Sequence, residues 1–375
     1  MPLTAFSKAT GEELDVEQVL SRLARASSVD STDLGPEGIP DAWRQIIRED
    51  MECPSCFTLG ADLVREGVST RGSKRIVRQA CFRYPSHRPQ CDFARPSVTG
   101  TTVPDNLVEF GSAKTGLTRA VRQLVGAGIQ TNSFSQRTIR DMREWFFAQK
   151  ASSTFTVTLD PRLPTWLEDV LRQAGGFYGP PPITLTPEIA RLPGFDWREA
   201  ARQHFRARNH SYIETLVAAE LRIWATADRM ANLARRFQGE VVFDPSPLRA
   251  RYLSTVQLAA FISQNYEPLR RFTRSGGRDP HAPAVLAFAA LVLYVEGWDI
   301  NEAAALFGRI AQQATDADPD LGNVMGLNPW HDFEAWRQLK ALQDLRLAIP
   351  DGAASPQEEI SAIETALRCQ YADTN

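Results

Sequence analysis

Two short stretches about thirty residues apart, Cys53-Pro54-Ser55-Cys56 and His87-Arg88-Pro89-Gln90-Cys91, determine how the first part of this 375-residue chain is expected to be organised. Two cysteines separated by two residues can point both thiolates at one tetrahedral ion, and a histidine and a cysteine separated by three residues can supply its other two ligands. Residues 62–68 and 75–84 have the composition of strands, and turn-favouring residues join them. A hairpin would return the second pair to the first, so the spacing predicts a zinc site.

The preferred ligands of this site are Cys53, Cys56, His87 and Cys91. Cys81 is the alternative third ligand, or else a buried thiol one strand away from the ion. Four protein ligands complete a tetrahedral zinc and leave no open position for a reacting water, so a structural ion is predicted rather than a catalytic one.

Two other roles for the cysteines remain open alternatives. A redox pair would open a helix after an apolar strand, and no such strand leads into Cys53. A disulfide framework would suit a secreted chain, but residues 1–15 contain charged side chains and no apolar core of a signal peptide. A reducing, cytoplasmic location is therefore expected.

The charge of the chain is distributed unevenly. Residues 57–150 carry 15 Lys and Arg against 7 Asp and Glu, whereas residues 1–56 carry 5 against 11. A concentrated basic segment attracts the phosphate backbone of DNA or RNA. The predicted nucleic-acid contacts lie on the hairpin, beside the second ligand pair and on a helix over residues 135–148: Arg71, Lys74, Arg75, Arg78, Arg83, Arg88, Arg137, Arg140 and Arg143.

The fold class predicted for the whole chain is mainly α, with a small zinc-bound β-hairpin module near the N-terminus followed by a helical bundle domain. Four segments are expected: an N-terminal helical segment and linker over 1–50, the zinc module over 51–100, a basic helical segment over 101–180 and the bundle over 181–375. Residues 211–237 are predicted to form one long helix, and the apolar run at 282–296 is predicted to lie at the centre of the bundle. That run is too short to cross a bilayer, so no membrane association is expected.

A search for catalytic patterns is mostly negative. The sequence contains no GxGxxG, GxSxG or HExxH motif, and its carboxylates are scattered among helices. Trp145, Phe146 and Phe147 can stack on bases, although aromatic residues at helical spacing more often fill a core.

The cysteine pattern resembles that of a known family. The sequence Cys53-Pro54-Ser55-Cys56, the hairpin and the run 80–93 are similar to the N-terminal metal-binding region of the competence protein CoiA-like family. This resemblance covers about forty residues and implies a zinc-binding element in a bacterial protein associated with DNA uptake and recombination. Two features depart from the family: Cys81 stands where a histidine is expected, and no carboxylate and Glu-x-Lys nuclease pattern follows Cys91. The implied nuclease activity therefore does not carry over.

Three functional hypotheses follow from the sequence. The first is a nucleic-acid-associated accessory protein whose zinc hairpin and basic helices contact phosphates. The second is a scaffold subunit that binds a protein partner through its C-terminal helical domain. The third is a nuclease whose carboxylates come together only in the fold.

Overall fold

The structure, a computed structural model, describes residues 1–27, 39–64, 67–69, 75–78, 80–94, 116–175, 183–274, 282–317, 321, 329–350, 352 and 355–372. The chain forms two compact units, each built from two separate segments. Unit 1 comprises Met1–Ser153 and Pro247–His331, and unit 2 comprises Thr154–Ser246 and Asp332–Asn375. This division falls at other places than the four segments expected from sequence, so those boundaries stay a prediction.

The described part of the chain is mostly helical, as predicted. Its strands are β1 (Thr4–Ser7), β2 (Glu12–Asp15), β3 (Met51–Glu52), β4 (Asp62–Val64), β5 (Gly67–Ser69), β6 (Arg75–Arg78), β7 (Cys81–Arg83), β8 (Thr154–Thr156) and β9 (Val241–Phe243). Its α-helices are α1 (Val16–Ser27), α2 (Asp41–Asp50), α3 (Gly116–Gln130), α4 (Gln136–Ser152), α5 (Leu163–Gln173), α6 (Pro187–Ala190), α7 (Trp197–Arg208), α8 (His210–Ala218), α9 (Ala227–Arg236), α10 (Arg249–Asn265), α11 (Glu267–Arg274), α12 (Pro283–Val295), α13 (Ile300–Gln313), α14 (Phe333–Asp344) and α15 (Pro356–Ala372).

An N-terminal sheet in the order β2-β1-β3 was not expected from the sequence. Its strands are antiparallel, with Ala5 opposite Leu14 and Phe6 opposite Glu52. Ala5 and Leu14 are buried in a core that also contains Cys53, Cys56 and Cys91, and Phe6 is buried as well. Strands of two to four residues carry too few positions for an alternating pattern to stand out, which is why the sheet was missed.

The predicted hairpin is present in interrupted form. Strand β4 pairs antiparallel with β7, placing Asp62 opposite Arg83 and Val64 opposite Cys81. Strand β5 pairs with β6 further along the same hairpin, and the register shifts near Gly67. This pairing returns the chain to the neighbourhood of Cys53 and Cys56, as the ligand spacing requires.

The helices of unit 1 include two that were predicted closely. Helix α4 begins after Ser135, whose Oγ accepts the Thr138 N–H at 3.2 Å in a capping box. Helix α12 is buried along its whole middle, from Ala284 to Leu293. It packs against α3, α4, α10 and α13, so the apolar run is the centre of the helical part of unit 1.

Unit 2 contains one correction to the helix prediction. Residues 211–237 are not one helix, because α8 ends before Glu220, whose φ is +52°. The Leu221 N–H then donates to the Leu216 carbonyl at 3.0 Å, which closes a Schellman-type helix end. Leu221 and Ile223 enter the core of unit 2, and α9 starts at Ala227. Helical periodicity on both sides of a short break hid that break from sequence analysis.

Within the described residues, no single helix combines the length and the apolar composition that crossing a membrane requires. Helices α12 and α13 reach that length only together, and they meet at an angle of 113°.

Candidate metal centre

The first half of the candidate centre is a knuckle that follows β3. The Cys53 N–H donates to the Thr58 carbonyl at 2.9 Å, and the Phe57 N–H donates to the Cys53 carbonyl at 3.0 Å. The turn needs a left-handed residue directly after Cys56, and Phe57 takes that conformation with φ of +61°. A bulky residue adopts this conformation only where its surroundings hold it. The knuckle thus aims Cys53 and Cys56 inward at the cost of local strain.

The second half of the centre follows β7 and has a similar turn. Gln90 is left-handed, with φ of +66°, and the Cys91 N–H donates to the Arg88 carbonyl at 3.2 Å. The Ser55 hydroxyl donates to Asp92 Oδ2 at 2.7 Å and accepts the Asp92 N–H at 3.1 Å. These two bonds join the halves directly, so their relative position does not depend on the hairpin alone.

The four predicted ligands come together at one point. Their donor atoms all lie within 4.8 Å of one another. The distance between Cys53 Sγ and Cys91 Sγ is 3.9 Å, and His87 Nδ1 lies 3.6, 3.5 and 3.2 Å from the sulfurs of Cys53, Cys56 and Cys91. A tetrahedral zinc with ordinary bond lengths would separate two sulfurs by about 3.8 Å and a sulfur from a nitrogen by about 3.6 Å. The four distances between these donor atoms therefore fit a single tetrahedral ion.

The electrostatics of the three thiols also favour a cation. The hydrogen bond with Cys56, the bond with Cys91 and burial all raise the pKa of Cys53. The same contact with Cys53 lowers the pKa of Cys56. Cys53 lowers the pKa of Cys91, but Cys56 and burial outweigh it and raise that pKa to about 12. Three thiolates at this buried point repel one another, so they need a positive ion among them.

An apolar shell closes around the donor atoms. Phe82, Tyr84 and Phe93 are buried beside the cysteines, together with Phe147 of α4. Burial, followed by the charges of the neighbouring thiolates, raises the pKa of Tyr84. Cys53, Cys56 and Cys91 are themselves buried, so the site is shielded from bulk water.

Cys81, the alternative ligand, lies outside this cluster. Its side chain is buried and its Sγ lies 3.9 Å from Met1 Sδ. Among the described residues, the four-residue cluster is the one group of three or more His, Cys, Asp or Glu side chains arranged to hold a metal ion. The preferred ligand set is thus the one that the fold assembles.

Two of the predicted nucleic-acid contacts are bound internally. Arg143 is buried on α4 and pairs with Glu13 at 2.5 Å. Arg140 pairs with Glu52 at 2.8 Å and also contacts Asp141 and Glu144. Helix α4 therefore uses these cations to bind the N-terminal sheet, and a phosphate could reach them only by displacing buried carboxylates. Glu13 and Glu52 lie far from α4 in the sequence, so no local sequence pattern predicts these ion pairs.

The other predicted contacts have mixed positions. Arg83 is exposed and lies 3.5 Å from Asp62. Arg88 stacks on the Phe147 ring at 4.9 Å, and Arg137 donates to the Lys8 carbonyl at 3.4 Å. Arg71 and Lys74 lie outside the described residues, as do the side chains of Arg75 and Arg78, whose backbone forms β6.

The aromatic residues of α4 mostly pack. Phe146 and Phe147 are buried, as expected for aromatic residues that fill a core. Trp145 is half-buried, and its ring lies 5.5 Å from that of Trp298 and 6.2 Å from that of Tyr294.

Comparison with known proteins finds no match for this chain. The chain matches no protein-family model, no curated protein and no solved structure.

Proposed function

We propose that Cys53, Cys56, His87 and Cys91 bind one structural zinc ion. The observation that supports this is the tetrahedral spacing of four convergent donor atoms, three of them on buried cysteines. Three thiolates and one imidazole form a soft donor set that suits zinc better than calcium or magnesium, which prefer oxygen. His87 would bind through Nδ1 and carry its proton on Nε2.

The proposed role of the ion is to stabilise a small module. The strands around the knuckle, β3, β4 and β7, have two or three residues each, too few to hold a hairpin by pairing alone. A structural zinc contributes its binding free energy to folding. All four positions of the ion would be filled by protein, so this role involves no bound reactive water.

We further propose that the stabilised hairpin contacts nucleic-acid phosphates. The charge excess of residues 57–150 supports this. Because Arg140 and Arg143 are held in internal ion pairs, the proposed contact is narrower than the sequence suggested. It is limited to the hairpin and the turn between His87 and Cys91: Arg71, Lys74, Arg75, Arg78, Arg83 and Arg88.

Elemental analysis of protein purified without added metal tests the first proposal. One zinc per chain is expected. Freely titratable thiols with no bound metal would refute the structural zinc.

A salt titration of binding to a labelled oligonucleotide tests the second proposal. Affinity should fall steeply with salt, and removing four phosphate contacts should lower the slope of log K against log[salt] by roughly 3 to 4 for duplex DNA. The variant neutralises Arg71, Lys74, Arg75 and Arg78. Its matched control neutralises four exposed arginines of unit 2: Arg191, Arg198, Arg202 and Arg208. An equal loss in both variants, or no binding at low salt, would contradict a specific role for the hairpin.

A protein-interaction scaffold is the second candidate, and exposed apolar side chains favour it. Trp224 of unit 2 is 53% exposed, and Phe261 of unit 1 is 44% exposed. Large apolar side chains at a surface are typical anchors for protein partners. A stable protein complex that forms without nucleic acid, and that Trp224→Ser or Phe261→Ser weakens, would establish this function instead.

The nuclease hypothesis gains no acidic site from the described residues, where the one metal-type cluster is that of three cysteines and a histidine. Metal-dependent cleavage of DNA or RNA would revive it. The CoiA-like resemblance, with the bacterial origin and the cytoplasmic location, stays a prediction.

A further inference from the structure

The outward face of helix α10 in unit 1 consists of exposed residues spaced by three and four positions: Ala250, Leu253, Gln257, Phe261 and Gln264. None of these residues is charged, and residues 252–266 contain no Asp, Glu, Lys, Arg or His. Leu253 is 55% exposed and Phe261 is 44% exposed, and eight residues of helix place them about 80° apart around its axis. Two large apolar side chains therefore share one uncharged stripe at the surface.

The inner face of α10 already packs against the rest of unit 1. Its buried residues are Thr255, Leu258, Ala259, Ile262 and Ser263. They lie on the side where α10 contacts α11, α12 and α13. A surface helix normally has a charged outer face, whereas a helix that is apolar on both sides is normally covered on both sides. The composition of α10 therefore indicates a partner on its outward face.

The outward face of α10 is symmetric about the middle of the helix. Gln257 is the central residue of Arg249–Asn265. Leu253 lies four residues before Gln257 and Phe261 lies four residues after it. A two-fold axis at Gln257 therefore places Leu253 of one copy against Phe261 of a second copy, and repeats that contact in reverse. The face is complementary to itself when two helices run antiparallel.

The charges at the two ends of α10 favour the same arrangement. The first turn carries Arg249 and Arg251, and Glu267 lies two residues beyond the end of the helix. The last carbonyls of a helix add partial negative charge at that end. Antiparallel pairing brings each basic end towards the acidic end of the second copy, whereas parallel pairing brings like charges together.

We propose that the outward face of α10 binds a second copy of this chain in an antiparallel, two-fold symmetric dimer. One pair of helices buries less than the roughly 1,600 Å² of a standard interface, so the dimer is reversible, with a Kd on the order of 10 µM. No residue of the proposed metal centre or of the basic hairpin takes part. The dimer therefore forms or fails independently of zinc binding and of nucleic-acid binding.

Sedimentation equilibrium of the purified full chain tests the dimer, at concentrations from about 1 to about 200 µM that bracket this Kd. The mass should rise from 41.8 kDa towards twice that value. Leu253→Lys should weaken the dimer at least about tenfold, because the change enters the interface twice. Leu192→Lys is the matched control, since Leu192 of unit 2 is 57% exposed, and it should dimerise as the wild type does. A mass that stays monomeric throughout, or an unchanged Leu253→Lys variant, would overturn the proposal. A monomeric chain would leave this face to a different protein.

A charge pair tests which residues face each other. Phe261→Glu alone should weaken the dimer about as much as Leu253→Lys alone. The two changes in one chain should restore much of the affinity, because antiparallel pairing sets the introduced ammonium against the introduced carboxylate of the second copy at two places. Within one helix the two positions are eight residues apart and do not meet. A double variant no better than the single ones would contradict this register.

Cross-linking locates the two-fold axis. In a Cys369→Ser background, which removes the exposed thiol, Gln257→Cys should give a disulfide-linked dimer on mild oxidation. The axis brings the two copies of this position together, and a disulfide needs Cα atoms within about 7 Å. Gln264→Cys is the matched control, because its two copies lie about 21 Å apart along the helices and should stay unlinked. Equal cross-linking of both positions, or of neither, would overturn the antiparallel dimer.

Discussion

Replacing single cysteines by serine separates the ligands of the centre from its neighbours. Cys91→Ser should lose the metal and open the module, because it removes one of four convergent donors. Three buried aromatic side chains, Phe82, Tyr84 and Phe93, would then lose their cover. Burial of a side chain of this size contributes about 2–3 kcal/mol. Opening the module therefore loses roughly 6–9 kcal/mol of favourable apolar burial. The binding free energy of a structural zinc in peptides is about 10–16 kcal/mol, which is enough to keep these side chains buried.

Two further variants make this prediction specific. Cys81→Ser should keep the metal and cost about 1–3 kcal/mol, since a hydroxyl replaces a buried thiol. Cys369→Ser should change neither quantity because Cys369 is exposed. Zinc content by elemental analysis and the free energy of unfolding from denaturant titration measure both effects. If Cys91→Ser kept one zinc while Cys81→Ser lost it, the ligand assignment would be wrong.

Three other substitutions test local features of unit 1. Burial raises the pKa of Asp62, but the hydrogen bond from Arg48 and the contact with Arg83 outweigh it and hold that pKa below its usual range. The ionised Asp62 carboxylate therefore stabilises the fold above about pH 4 and ceases to do so as the pH falls through its lowered pKa. The difference in unfolding free energy between wild type and Asp62→Asn should accordingly shrink when denaturant titrations are repeated at progressively lower pH. Gln90→Gly should raise the unfolding free energy by about 1 kcal/mol. Glycine adopts the left-handed backbone conformation of this position without strain, and the change removes the buried Oε1, which has no hydrogen-bond partner in the described structure. An unchanged or lower midpoint in urea would contradict this. Gly128→Ala should cost about 1–3 kcal/mol, since the added Cβ would lie 2.2 Å from the Phe134 ring, and thermal unfolding of Gly128→Ala with and without Phe134→Leu should show partial rescue.

The candidate site was largely predictable because its information is local. Cys53 and Cys56 share one turn, His87 and Cys91 share another, and strand-forming residues between them indicate the return of the chain. The choice of His87 over Cys81 was the open point. It depends on the β4–β7 register, which places Cys81 opposite Val64 and outside the cluster, and sequence spacing does not determine that register.

The roles of the arginines on α4 were not predictable. Periodicity placed Arg140 and Arg143 together on a basic helix face, and in the fold that face is covered by carboxylates of the N-terminal sheet. The partners Glu13 and Glu52 lie on strands too short for the sequence to indicate. A helix pattern identifies which residues share a face but not what packs against it.

The discontinuity of unit 1 has a consequence for the order of folding during synthesis. Helices α10 to α13 leave the ribosome only after the roughly 90 residues of the first segment of unit 2. At about 5–20 residues per second this is a delay of roughly 5 to 20 seconds, during which α3 and α4 lack the apolar helix that covers them. The four proposed metal ligands lie within 39 consecutive residues, from Cys53 to Cys91. The knuckle and hairpin can therefore capture an ion early and give the nascent chain an ordered N-terminal anchor while the rest of its core is still being made.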